Sequence, residues 1–124
     1  MSKSAERERT LLLFCAYKSH FTSTANLLLC LKNFEEKSFN EEYVLSFFEK
    51  FEEKKEYLRD ILLTEQIEKY NFIDSLLAQL MLCERLFFFT KSQNLLHYLN
   101  ISKIYSTKDS YKVLHVLMNK FLNL

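Results

Sequence analysis

The side chains with the widest chemistry in this 124-residue chain are three cysteines, Cys15, Cys30 and Cys83, and three histidines, His20, His97 and His115. A thiolate beside an imidazole can attack an acyl group, and the same residue types can bind zinc. Neither chemistry fits the spacing. No CxxC or HExxH pattern occurs, and the histidines fall in separate segments, whereas a zinc site takes its ligands in closely spaced pairs. Each cysteine lies inside an apolar run, where a thiolate is disfavoured. An odd number of widely spaced cysteines suits reduced, buried thiols better than a disulfide framework. The expectation is no metal, no cofactor and no enzymatic activity. A different chemistry is available near the start, where Arg9, Leu13 and Tyr17 follow one another at i, i+4 and i+8. Arg7 and Lys18 sit about three helical turns apart on a neighbouring stripe. An arginine fork pairs with phosphate and a tyrosine ring stacks on an unpaired base, which are contacts that single-stranded RNA recognition uses. Glu6 and Glu8 dilute that charge, and the same spacing also fits a solvated helix start ahead of the LLLFC run.

Helices must position these groups, because the chain contains no glycine and no proline. Average usage would have supplied about nine and about six of them. Together with heavy use of Phe, Leu, Lys, Asn, Ile and Tyr, that absence points to AT-rich coding rather than to a demand of the fold. Glycine-dependent hairpin turns and phosphate-cradling loops lose their usual tools. Periodicity predicts a first helix over residues 5–19 and a second over 24–33, capped from the Thr22-Ser-Thr cluster. Ser38 and Glu41 fit a capping box that opens a helix with Val44, Phe47, Phe48 and Phe51 on one buried stripe. The mixed-sign run from Glu49 to Glu56 reads as its solvated face or as a corner between helices, and Leu58, Ile61 and Leu62 continue a helix. Asn71 or Asp74 starts the most apolar segment, running from Ile73 to about Phe89, which is expected to be the central helix. A shorter helix at 94–105 offers Leu95, Leu96, Leu99 and Ile101 to the core. Ser106 to Asp109 matches a second capping box, opening a last helix with Val113, Leu114, Leu117, Met118 and Phe121 inward and Lys112, His115, Asn119 and Asn123 on a polar stripe.

A length of 124 residues suits one domain over 1–124, long enough to close a hydrophobic core without staples. The formal charge of +1 excludes bulk electrostatic attachment to nucleic acid or membrane, so any anion site must be a local patch. No signal peptide is legible, and the longest uncharged apolar stretch, Leu76 to Cys83, is far short of a membrane span. A cytoplasmic protein is expected.

Three stretches resemble the NusB family of transcription antitermination factors. The segment KIYSTKDSYKVLHVLMNK at 103–120 keeps the aromatic, Asp-Ser pair, Lys and terminal Lys of the family's last helix, at Tyr105, Asp109, Ser110, Lys112 and Lys120. RERTLLLFCAY at 7–17 is similar to its arginine-rich N-terminus, with Arg7, Arg9 and Tyr17 in register. IDSLLAQLMLCE at 73–84 looks like its central helix, with Asp74 and Glu84 fitting. Departures from the pattern are Val113 for a phenylalanine, His115-Val116 for Asn-Gly, Gln79 for an arginine and Cys83 for a tyrosine.

The resemblance implies an all-α bundle of about seven helices in two packed groups. It also implies a non-enzymatic function, binding boxA-type single-stranded RNA together with the small-subunit ribosomal protein NusE in transcription elongation complexes on ribosomal RNA operons. The RNA surface so implied comprises Arg7, Arg9, Tyr17, Lys18, Ser110 and Lys112. Asp74 and Glu84 are candidates for the protein partner, with buried capping or salt-bridge roles as the alternative for both. The protein is expected as a monomer or homodimer. A diverged NusB-like, or an unrelated helical, protein-interaction module without RNA binding is the alternative function.

Overall fold

The computed structural model describes residues 7, 8, 10 and 41–124. Among them the architecture is all-α, with four helices, one short 3-10 turn and no strand. Helix α1 spans Glu41–Thr64 and is followed by the 3-10 turn Ile67–Lys69. Helix α2 spans Phe72–Phe87, α3 Ser92–Tyr105 and α4 Ser110–Leu122. Arg7, Glu8 and Thr10 are helical as well. Most of the first two expected helices, and the Ser38 cap, lie outside the described residues.

Helix α1 runs without a break through the charged stretch, so that stretch is a helix face rather than a corner. Phe47, Phe48, Phe51 and Leu58 keep one buried stripe, while Lys50–Glu53 and Lys55–Glu52 pair along the wet side at i, i+3. Such surface pairs add little stability; each buried phenylalanine contributes about 1.5–3 kcal/mol from apolar burial. The helix stops where Gln66 turns into the left-handed region at φ 57°.

Helix α2 is the centre of the described core, with residues 76–78 and 80–84 all buried. A helix apolar on nearly every side must be surrounded, and α1, α3 and α4 all pack against it. Asn71 caps it, its side chain accepting from the Asp74 amide at 2.8 Å. Past its C-terminus the Phe88 ring stacks on Phe47 of α1 at 5.7 Å. Phe89 then takes φ 53° and reverses the chain toward α3.

Helix α3 starts two residues earlier than periodicity predicts and buries Leu95, Tyr98, Leu99 and Ile101, while Leu96, an expected core residue, lies at the surface. Tyr98, one turn on from Leu95, is the inward residue instead. On α4 the inward set is Leu114, Leu117, Met118 and Phe121. Val113, also expected inside, is 40 % exposed beside Val116. The expected capping box at 106–109 does not form: Asp109 occupies the N-cap position without a side-chain cap, and the Ser106 hydroxyl reaches across to Asp74.

Candidate functional site

Two buried polar clusters and one exposed strip gather the candidate residues. The first cluster is built around Glu84 on the last turn of α2. Arg7 grips it with both arms of the guanidinium, Nε donating to Oε2 at 2.9 Å and Nη2 to Oε1 at 2.6 Å. Arg7 is 2 % exposed and Glu84 1 %. The remaining Nη1 donates to His97 Nδ1 of α3 at 2.9 Å. Arginine has no acceptor, so Nδ1 must be unprotonated and the ring proton sits on Nε2. Burial first, and the Arg7 charge second, hold His97 below the ordinary histidine range, with Glu84 pulling the other way. Thr90 completes the cluster, its hydroxyl donating to Glu84 Oε1 at 3.2 Å and its amide to the Glu84 carbonyl. The guanidinium also lies 5.7 Å from the centre of the Tyr98 ring.

The second cluster is built around Asp74 at the start of α2. Ser106 donates to its Oδ1 and Ser110 to its Oδ2, both at 2.7 Å, and Asn71 Nδ2 donates to Oδ2 at 3.1 Å. With both serine protons committed to Asp74, the Thr107 hydroxyl donates to Ser110 Oγ at 2.9 Å, and the Ser106 and Ser110 oxygens lie 2.9 Å apart. One carboxylate thus ties the start of α2 to the end of α3 and the start of α4. A buried carboxylate is tolerable only when its lone pairs are occupied, and three side chains supply that here.

The RNA-surface expectation therefore divides. Arg7 and Ser110 are buried and engaged with Glu84 and Asp74, so neither presents its polar group to solvent. Lys112 is exposed on α4. Arg9, Tyr17 and Lys18 lie outside the described residues. Asp74 and Glu84, the partner-surface candidates, are 6 % and 1 % exposed and hold internal contacts instead. The N-terminal stretch does reach the far end of α3, where Tyr105 Oη donates to Glu8 Oε1 at 2.6 Å.

The exposed strip lies on α3 and α4. Lys103 Nζ sits 4.3 Å over the Tyr111 ring, and that ring is 5.9 Å from His115. Tyr111 is half-buried, while Lys103, Lys108, Lys112 and His115 are exposed. Sequence reasoning missed His97, Thr90, Lys103 and Tyr111. Only Tyr111 carried a signal, an aromatic one turn from a polar-stripe histidine.

Cys83 is buried, and burial with the neighbouring Glu84 pushes its thiol up to about 12, far from the thiolate a nucleophile needs. Cys15 and Cys30 lie outside the described residues. Among the described residues no cluster of His, Cys, Asp and Glu could hold a metal ion, and no helix is long and apolar enough to cross a membrane. Comparison of the chain with models of known protein families, with curated proteins and with solved structures finds no match.

Proposed function

We propose that this chain is a NusB-like transcription antitermination factor with the family's architecture of about seven helices in two groups. On this reading it performs no chemistry. It binds boxA-type single-stranded RNA and the ribosomal protein NusE in the elongation complex on ribosomal RNA operons. The observation that carries the reading is how the three resembling stretches meet. Arg7 of the first stretch pairs with Glu84 of the second, and Ser110 of the third donates to Asp74 of the second. Four of the residues in which the resemblance resides, Arg7, Glu84, Ser110 and Asp74, thus pin the stretches together. RNA contact then falls to Lys112, with Arg9, Tyr17 and Lys18, while Arg7 and Ser110 hold the frame.

Filter binding to a boxA-like RNA and to its scrambled counterpart across a salt series tests this. The expected result is tighter binding to the boxA-like strand, weakening steeply as salt rises. Equal, salt-independent retention of both strands would falsify it. A second reading, a protein-interaction module without RNA, draws on exposed Ile104, Val113 and Val116, which are 67 %, 40 % and 57 % accessible on α3 and α4. It is favoured if purified NusE co-elutes with the chain while neither RNA binds.

A further inference from the structure

Glu52, Glu56, Arg59 and Leu63 recur at i, i+4, i+7 and i+11, which places them on one flank of α1. That flank borders a groove of about 550 Å³ between α1, the 3-10 turn and the side of α2 that carries Ser75 and Gln79. The buried residues Phe51, Leu58 and Ile67 floor the groove, and Leu63 stands at its rim, 51 % exposed. Lys55 is taken up by Glu52 at 3.5 Å. Glu56 and Arg59 are both exposed, one turn apart, and neither has an ion-pair partner among the described residues. We propose that this flank docks antiparallel on the same flank of a second copy of the chain, about a two-fold axis that passes between Glu56 and Arg59. The proposal is independent of the RNA reading, since none of the residues expected on the RNA surface lies on this flank.

Charge selects this occupant. A two-fold contact needs a surface that complements itself, so that residue i meets j while j meets i. Positions 56 and 59 are equidistant from their midpoint, so antiparallel copies set Glu56 against Arg59 of the partner subunit and Arg59 against Glu56 of the partner subunit. The same axis relates positions 52 and 63, each about 8 Å along the helix from it. Leu63 is thereby brought to the Phe51 end of the opposite groove, where the carbon stems of the Glu52–Lys55 pair lie. A ligand of one sign fits less well: a polyanion meets Glu52, Glu56 and Glu68 around the groove, and a polycation meets Lys55 and Arg59. Like charges opposed across a contact work against binding. A wholly apolar helix would leave Glu56 and Arg59 covered and unpaired. Two helix flanks of about three turns make a small interface, so the dimer is a weak one that dissociates on dilution.

Sedimentation equilibrium of the full chain over roughly 5–500 µM, at about 50 mM and about 500 mM salt, tests this. The wild type is expected to pass from monomer to dimer across that range and to dissociate more readily at high salt. Arg59→Glu sets acid against acid at both pairs and is expected to weaken dimerisation at least about tenfold. Glu56→Arg should do the same by setting cation against cation. The two substitutions in one chain restore both pairs with their signs exchanged, and should return the affinity to within about threefold of the wild type. An equimolar mixture of the two single variants should form a heterodimer at concentrations where neither dimerises alone. Recovery in the doubly substituted chain and in the mixture separates a lost contact from a lost fold. A wild type that stays monomeric throughout, an Arg59→Glu chain as dimeric as the wild type, or a double variant no better than the single ones overturns the proposal. Assembly that continues past the dimer overturns the two-fold arrangement.

Discussion

His97 is neutral because of where it sits. Its Nδ1 accepts from Arg7, and a second proton on the ring would abolish that bond and set two cations side by side. The folded state therefore binds this proton less readily than the unfolded chain, whose histidine titrates near pH 6.5. Where the unfolded state binds more protons, stability rises with pH. The contribution of His97 is thus complete above about pH 6.5 and is lost as pH falls through the lower folded-state value. Urea midpoints at about pH 7.5 and about pH 5.5 should show the wild type losing its advantage over His97→Gln at the acidic end. A gap of equal size at both pH values would exclude this coupling. The sequence offered no hint of the contact. Ninety positions separate Arg7 and His97, and no local pattern distinguishes a histidine that accepts from an arginine from one that faces water.

At the level of elements, periodicity identified what the core demands. The α1 stripe, the all-round apolar character of α2 and the inward face of α4 follow from spacing, because burying those positions is the largest favourable term available to a helix. Polar placement was harder to foresee. Ser106 and Asp109 have the spacing of a capping box, yet the Ser106 hydroxyl has a charged acceptor within reach on α2, and a hydrogen bond to a carboxylate outweighs one to a neutral amide. Val113 fits the helical period of the buried stripe but lies at its edge, 40 % exposed. The Asp74 cluster is the joint among α2, α3 and α4. Asp74→Ala should cost about 2–4 kcal/mol, since it orphans two hydroxyls and weakens the start of α2, and Ser110→Ala about 1 kcal/mol. A double-mutant cycle by urea denaturation is expected to give a coupling above about 0.5 kcal/mol; additive losses would mean that the two groups stabilise separately.

Across the whole molecule, the Arg7–Glu84 pair joins the beginning of the chain to its middle over 77 positions. An ion pair at that depth is poor value as stabilisation, but removing one member leaves the other charged in an apolar setting. Arg7→Met should therefore cost about 3–5 kcal/mol in urea denaturation, whereas Arg7→Met with Glu84→Leu should recover more than half of that loss. A double variant no better than the single one would show that Arg7 matters through contacts other than Glu84. This architecture also explains why the resembling stretches were legible as sequence while their roles were not. Arg7, Ser110, Asp74 and Glu84 stood out by type and register, and an exposed arginine and a buried one look the same in a string of letters.

Gln66 and Phe89 have a wider consequence. Both sit in the left-handed region, at φ 57° and φ 53°, at the two chain reversals that bracket α2. Glycine enters that region freely, while a residue with a Cβ is held there at a cost of roughly 1–2 kcal/mol. A chain that contains no glycine carries this cost twice around its central helix. If nucleotide bias removed the glycine codons, part of this protein's thermodynamic margin is set by the base composition of its gene, independently of any selection on what the protein binds.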